Sequence, residues 1–283
     1  MLPVPVSSYV ERPPIQLGDS GLDSLFPGQG FPMTGIVELS GEAGSGKTQL
    51  ACQVALRCCA ASGGSTLIIN TEGPFPASRL QQIAAGMKSG KELLDRVKIA
   101  DVADSKDLEL YCSNVLPGLV TREKLTLIVV DSMAAPLRSE RVGQGEAPER
   151  SRLLFSITAQ LLRLNAESNC GVLVTNQVVD MIGIDRGAIG AALSGAVSQG
   201  IRCVPRFLTA LSAGRWVRPA LGLSWDSCAS HRILMVKESR LGVGGASRSL
   251  YLLSSPAFPP TSLSYDITEC GIVSSGLCLP LKV

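Results

Sequence analysis

A glycine-rich segment at residues 41–49, GEAGSGKTQ, constrains the fold more than any other feature of the sequence. It satisfies the pattern G-x-x-x-x-G-K-[ST], in which backbone N–H groups surround phosphate oxygens, a lysine reaches the outer phosphates and a hydroxyl contacts Mg²⁺. The sequence therefore predicts a binding site for the phosphates of a nucleotide. The predicted binding residues are Gly41, Glu42, Ala43, Gly44, Ser45, Gly46, Lys47, Thr48 and Gln49, with Thr48 also placed on Mg²⁺.

The flanking residues supply the context that this pattern needs. The apolar run at 34–40 predicts a buried strand, and the apolar spacing of 47–61 is typical of a helix. A strand, a glycine-rich loop and a helix thus follow one another in the required order.

Further along the chain, apolar runs alternate with amphipathic segments. This alternation predicts a parallel sheet covered by helices on both faces. The predicted strands are 65–70, 96–102, 125–131 and 170–178, and the predicted helices are 77–87, 105–119 and 149–167. Three later segments, 231–239, 248–255 and 263–273, predict an antiparallel extension.

Composition indicates one dominant globular domain. The chain has 283 residues, 45% of them hydrophobic and 18% charged, with a mean hydropathy of +0.26. We expect a proline-rich tail or linker stub over 1–16 and a single core over 17–283. Because no apolar run approaches roughly 18 residues, we expect a soluble, intracellular protein that does not bind membranes. The nine cysteines lack metal or disulfide spacing, so we expect reduced thiols.

An aspartate completes the predicted metal site. Asp131 ends the apolar strand 125–131, where a carboxylate would hold Mg²⁺ beside Thr48. With the phosphate loop upstream, this position becomes a strong indication.

Two other polar residues follow predicted strands on the same edge of the sheet. Glu72 could deprotonate a water molecule that attacks the terminal phosphate, although a solvated loop acid is the alternative. Gln177, next to Asn176, could sense the terminal phosphate, with an ordinary strand-capping amide as the alternative.

Positive charge is concentrated in one segment. The net charge is only +2, but from Arg186 to Trp225 the chain has five arginines and no Asp, Glu or Lys. We interpret 183–218 as a long flexible basic loop that follows a phosphate backbone, the alternative being a disordered insertion. If the phosphate backbone is that of DNA, as the family resemblance described below implies, the DNA-binding residues would be Arg186, Arg202, Arg206, Arg215 and Arg218.

Taken together, these motifs resemble a known family. The segments GEAGSGKTQL, TEGPF, LIVVDSMAAP and VLVTNQVV resemble the ATPase core of the RecA-type strand-exchange recombinases. The segments 71–84 and 218–234 resemble more narrowly a eukaryotic recombinase paralogue. The resemblance covers about residues 16 to 275 and implies an α/β, RecA-like P-loop NTPase core.

The resemblance also implies a function. It suggests a DNA-dependent ATPase of weak turnover that assists homologous recombination and double-strand-break repair in the nucleus. ATP and Mg²⁺ would be its cofactors; its partners would be another recombinase paralogue, the main strand-exchange recombinase and single-stranded or branched DNA. Lys47 and Thr48 would bind phosphate and Mg²⁺, Asp131 the metal, Glu72 would activate water, and Gln177 would couple nucleotide to DNA.

Loop positions follow from the same resemblance. Residues 138–150 match a first DNA-binding loop and 183–218 a second. Two departures are expected: the small helical domain that often precedes the core is missing, and 196–210 is longer than the family pattern. The F-x-x-A pattern at 207–210, by which recombinases dock onto neighbours, is short enough to be coincidental.

Two other functions share the phosphate loop. A P-loop kinase would transfer phosphate to a small metabolite, and an ATP-bound adaptor would bind nucleotide without hydrolysing it. Phosphate release that needs no acceptor and is stimulated by single-stranded DNA would separate these from a DNA-dependent ATPase.

Overall fold

The structure is a computed structural model that describes residues 15–28, 30–139, 147–181, 193, 196, 201–205, 208–238 and 247–281. Its helices are α1 (Ser20–Asp23), α2 (Lys47–Ser62), α3 (Ala77–Ala85), α4 (Gly90–Leu94), α5 (Ser105–Leu110), α6 (Leu116–Arg122), α7 (Ala134–Ser139), α8 (Ala147–Ser168) and α9 (Gly222–Asp226). Its strands are β1 (Ile36–Gly41), β2 (Ser65–Asn70), β3 (Val97–Asp101), β4 (Leu125–Asp131), β5 (Gly171–Asn176), β6 (Val178–Asp180), β7 (Cys203–Val204), β8 (Thr209–Ser212), β9 (Arg215–Pro219), β10 (His231–Glu238), β11 (Ser247–Ser254), β12 (Thr261–Thr268), β13 (Gly271–Ser274) and β14 (Leu279–Pro280).

A large sheet forms the centre of the described chain. Its strands lie in the order β13-β12-β11-β10-β1-β5-β4-β2-β3, with β14 beside β12. The strands from β10 to β3 are parallel, and those from β10 to β13 are antiparallel. The predicted parallel sheet with an antiparallel extension is therefore confirmed.

Apolar side chains cover both faces of this sheet. On one face, α2 and α3 contribute Leu50, Val54 and Ile83 to a buried cluster. On the other face, α5 and α8 contribute Leu108 and Ile157 to a second cluster. Burial on both faces explains why the central strands are unbroken apolar runs.

The packed core begins earlier than predicted. Ile15 is 2% exposed, and its carbonyl accepts a hydrogen bond of 2.8 Å from the Phe31 N–H. Farther on, Gln53 of α2 donates to the carbonyl of Leu17 at 3.1 Å and to that of Ile272 at 3.2 Å. Ile15 is thus packed in the core, whereas the sequence analysis placed it in the tail over 1–16.

Three of the predicted elements that differ from the structure are extended or divided in it. The helix over 105–119 continues to Arg122 through a π-helical turn at Tyr111–Val115. The strand over 170–178 ends at Asn176, and β6 starts at Val178. The segment 263–273 contains two paired strands, because the chain turns between Thr268 and Gly271.

The expected flexible loop over 183–218 is wrong for its described C-terminal part. Strands β6, β9, β8 and β7 form a second, four-stranded sheet in that order, hereafter the small sheet. Cys203 and Ala210 belong to a buried cluster with Leu234 and Val236 of β10, and Val217 is also buried. Ala210 ends the F-x-x-A pattern and is fully buried within β8, whereas Phe207 lies outside the described residues.

All nine cysteines lie in the described residues, and none of them forms a disulfide bond. Seven are buried, whereas Cys270 is exposed and Cys278 is intermediate. Burial raises the pKa of Cys58 to about 11 and that of Cys52 to about 12. Across the described ranges, none of the helices combines the length and the apolar character that a bilayer crossing requires.

Candidate nucleotide-binding site

The phosphate loop connects β1 to α2 at the carboxyl edge of the large sheet. Gly44 and Gly46 have φ angles of 71° and 103°, which side chains other than glycine rarely adopt. A Cβ atom on Gly41 would lie 2.5 Å from the Met235 carbonyl oxygen, and one on Gly46 would lie 2.9 Å from Ile272. Glycine at these positions therefore allows both the turn and the close packing of the loop.

Lys47 is the first residue of α2, and its side chain lies over the loop. Its Nζ donates to the carbonyls of Gly41 at 2.9 Å and Glu42 at 3.0 Å. Burial lowers the pKa of Lys47, while the carboxylates of Asp131 and Glu72 oppose that shift. The ammonium group is thus directed at the backbone that would surround the phosphates.

Asp131 lies between two hydroxyl groups. Thr48 Oγ1 donates to one carboxylate oxygen at 2.7 Å, and Thr175 Oγ1 donates to the other. Asp131 is only 9% exposed. Carboxylate and hydroxyl oxygens are ligands that Mg²⁺ prefers, so Thr48 and Asp131 fit the metal that this type of loop uses. Sequence analysis did not identify Thr175.

Glu72 and Gln177 contact each other at the same edge. Gln177 Nε2 donates to Glu72 Oε1 at 2.7 Å, although the two residues are 105 positions apart. They meet because Glu72 follows β2 and Gln177 follows β5, and both strands pair in parallel with β4. A carboxylate is therefore held by an amide near the phosphate loop.

Asn176 has a different environment from Gln177. It is fully buried, and its Nδ2 donates to Glu38 Oε1 at 2.6 Å and to the Ala220 carbonyl at 3.1 Å. Its Oδ1 accepts the Gln177 N–H at 2.8 Å. Glu38 in turn forms a buried ion pair of 2.6 Å with Arg232. Asn176 is thus a structural residue that fixes the backbone of Gln177.

Two further residues hold the phosphate loop and were missed by sequence analysis. Lys237 Nζ donates to the Ala43 carbonyl, and the buried Tyr265 hydroxyl donates to the Ser45 carbonyl at 2.6 Å. Lys237 could have been found, because it is a charged residue near the end of an apolar strand. The sequence gives no comparable signal for Tyr265, which belongs to the antiparallel extension.

The predicted DNA-binding arginines lie in several environments. Arg186 and Arg206 lie outside the described residues, as do positions 140–146 of the expected first loop. Arg202 is exposed just before β7, and Arg218 is half-buried in β9. Arg215 donates to Asp180 at 2.7 and 2.6 Å and also to Glu42 of the phosphate loop.

Comparison with known proteins identifies the family. A sequence profile of the Rad51 family matches residues 13–196. The mouse (Mus musculus) DNA repair protein XRCC3 is 30% identical over 279 residues, which cover 91% of this chain and 74% of the mouse protein. The Arabidopsis thaliana DNA repair protein XRCC3 homolog is 29% identical over 89% of this chain and 90% of its own length.

An archaeal relative matches a shorter region. The DNA repair and recombination protein RadA of Methanocorpusculum labreanum is 33% identical over 178 residues, 56% of this chain and 54% of RadA. The chain therefore belongs to the Rad51 family, and the predicted RecA-type fold and resemblance to a recombinase paralogue are confirmed.

Proposed function

We propose that this Rad51-family protein is an ATP-binding, DNA-dependent ATPase that acts in homologous recombination and double-strand-break repair. The observation that carries this proposal is the contact between Glu72 and Gln177 beside the paired Thr48 and Asp131. The relatives named as DNA repair proteins support the same process.

In this proposal each residue at the carboxyl edge of the large sheet has a distinct chemical role. The N–H groups of the loop and Lys47 bind the phosphates of ATP. Thr48 and Asp131 would hold Mg²⁺, which when bound would neutralise charge on the terminal phosphates. Glu72 orients a water molecule and accepts its proton, and Gln177 keeps the Glu72 carboxylate in place.

The pairing of Glu72 favours an ATPase over a kinase. In a kinase, the hydroxyl group of the acceptor substrate would occupy the position of the water molecule that Glu72 activates in this proposal. Here the carboxylate is exposed and held by Gln177, the residue that leads directly into the small sheet. This arrangement suits ATP hydrolysis that is linked to a second binding event. It also favours a catalytic site over a site that binds nucleotide without hydrolysing it.

DNA contacts are proposed for the small sheet and for the chain segments next to it in sequence. Its first strand, β6, begins one residue after Gln177 and pairs with β9, which carries Arg218 opposite Val179. We assign Arg186, Arg202, Arg206 and Arg218 to the phosphate backbone of single-stranded or branched DNA. The strands β6, β7, β8 and β9 are folded. Bound nucleotide would therefore affect this region by altering how these strands pair, as well as by ordering loops.

A partner surface is proposed at β3, the last strand at one end of the large sheet. Strand β3 is at the sheet edge and, among the described strands, pairs with β2 alone. A cavity of about 310 Å³ lies beside it and is lined by Leu67, Lys98, Ile99, Ala100, Tyr111, Leu119, Glu123 and Leu125. An edge strand next to a partly apolar cavity suits an extended segment with an inserted aromatic side chain. We therefore place here a Phe-x-x-Ala segment of another recombinase paralogue, in a nuclear complex that also engages the main strand-exchange recombinase.

Phosphate release tests the proposed activity. The protein, co-purified with its partner, is incubated with Mg-ATP, with and without single-stranded DNA and with and without small hydroxyl acceptors. We expect release without any acceptor that increases with DNA. Release that requires an acceptor would identify a kinase, and nucleotide binding with no release would identify an adaptor.

Co-purification of Ile99→Glu tests the partner surface. Ile99 is 40% exposed on β3, so the new charge should repel an apolar partner segment without unfolding the chain. The matched control is Leu277→Glu, because Leu277 is 83% exposed and does not line this cavity. Loss of the partner only in Ile99→Glu is expected; equal recovery of partner by both variants would refute the assignment.

A further inference from the structure

Arg215 is held between two carboxylates that belong to different parts of the protein. Its Nη1 donates to both oxygens of Asp180 at 2.7 and 2.6 Å, and its Nη2 donates to Glu42. Asp180 is the last residue of β6, whereas Glu42 is the second residue of the phosphate loop. One guanidinium group therefore joins the small sheet to the nucleotide site.

The contact with Arg215 offsets the negative charge of Glu42. Glu42 is an acid inside a loop predicted to bind anionic phosphates, and its charge, with the charges of Asp131 and Glu72, opposes the lowering of the Lys47 pKa by burial. The Glu42 side chain is 16% exposed, so water screens its charge only in part. Without a cationic partner, this carboxylate would repel the nucleotide.

The position of Arg215 also connects it to the residues that would respond to nucleotide. Arg215 begins β9, and β9 pairs with β6 directly after Gln177. Nearby, the Ala213 N–H donates to the Lys237 carbonyl at 2.7 Å, and the Lys237 side chain donates to Ala43 of the phosphate loop. The β8–β9 turn is thus fixed to the loop by two basic residues.

We propose that Arg215 is a positioning residue for the nucleotide rather than a DNA contact. It neutralises Glu42, holds that carboxylate toward the small sheet, and transmits the state of the phosphate loop to β9. This inference rests on the proposed function, because it requires that the loop bind a nucleoside triphosphate.

The expected effect is modest. Arg215 is 53% exposed, and exposed ion pairs usually change an equilibrium by about two- to fivefold. Because two carboxylates share one guanidinium group, we expect the change in nucleotide affinity to lie toward the upper part of that range.

A double-mutant cycle on nucleotide affinity tests the proposal. We expect Arg215→Gln to weaken binding of a fluorescent ATP analogue about two- to fivefold at low salt, and less at high salt. Adding Glu42→Gln should restore affinity, because the uncompensated acid is then removed. The matched control is Arg122→Gln, which breaks a surface Arg–Glu pair remote from the loop. Additive losses in the double variant would overturn the neutralising role.

Hydrogen exchange of residues 209–219, measured on the same samples, tests the transmission. Saturating nucleotide should change protection of this segment in the wild type and in Arg122→Gln, and the change should be lost in Arg215→Gln. If the wild type binds nucleotide but Arg215→Gln keeps the full change, the inference fails and the proposed function survives. If the wild type binds no nucleotide, both fail together. A loss of DNA affinity that is identical with and without nucleotide would make Arg215 a plain DNA contact.

Discussion

At the scale of single residues, the site depends on side chains that follow strands of one parallel sheet. The edge positions of Asp131, Glu72 and Gln177 are predictable from the sequence, because a polar residue at or just beyond the end of an apolar strand lies at the sheet edge. Arg215 was predicted as a DNA contact, since the sequence shows its charge but not the two carboxylates that bind it. Its environment depends on the pairing of β6 with β9, which are separated by more than thirty residues.

Asp131→Asn tests the metal site. We expect nucleotide binding to depend less on Mg²⁺, because a neutral amide is a poorer ligand than a carboxylate. The measurement is a nucleotide titration over a range of Mg²⁺ concentrations. Asp101→Asn is the control, since Asp101 also ends a strand of this sheet but contacts Asn70 at 2.7 Å instead. A wild-type Mg²⁺ curve for Asp131→Asn would remove this residue from the metal site.

Glu72→Gln separates catalysis from binding. The variant keeps the shape of the side chain and an oxygen that can accept from Gln177, but it removes the base. We expect unchanged nucleotide affinity and a decrease of about 100-fold or more in phosphate release. Parallel losses of affinity and release would assign Glu72 a structural role.

His231, the single histidine of the sequence, makes stability depend on pH. Burial lowers the pKa of His231, and its Nδ1 lies 2.9 Å from Ser255 Oγ. The unfolded chain therefore binds a proton more readily, so folding stability decreases as the pH falls below about 6.5. Thermal unfolding at pH 7.5 and 5.5 should show a smaller decrease for His231→Gln than for the wild type. Equal decreases would contradict the burial of a neutral imidazole.

At the scale of elements, predictability followed the length and composition of each strand. The bounds of β2 and β4 were predicted to the residue, because both are unbroken apolar runs that end in polar residues. The small sheet was missed since its strands have two to five residues and lie in a segment rich in Gly, Ala and Ser. Its apolar contacts are made mainly with distant elements, which no local pattern records.

The small sheet carries the prediction about DNA. Changing Arg202, Arg206 and Arg218 together to Ala should lower affinity for single-stranded DNA similarly across sequences and leave nucleotide binding intact. The slope of log affinity against log salt should become shallower by about two, because three phosphate contacts are lost. A control with the same change in net charge replaces the exposed residues Lys88, Lys91 and Arg122 by Ala. Equal slopes for the two triple variants would show that the small sheet does not bind DNA.

At the scale of the whole molecule, three surfaces are arranged on one sheet. The candidate nucleotide site lies at the carboxyl edge near β1, and the small sheet is attached to that edge through Gln177 and Arg215. The proposed partner surface lies at the terminal strand β3. The first two surfaces share hydrogen-bonded residues. Nucleotide and DNA should therefore influence each other's affinity, and by linkage the effect must be reciprocal.

The central claim is that nucleotide bound at the phosphate loop controls the affinity of the protein for DNA. Its most direct test is the affinity of the partner-bound protein for single-stranded DNA, measured by fluorescence anisotropy with and without a non-hydrolysable Mg-ATP analogue. We predict that the analogue increases affinity in the wild type and has no effect in Lys47→Ala, which loses the cation directed at the phosphates. Equal affinity of the wild type with and without the analogue, at concentrations where the analogue is bound, would contradict the claim.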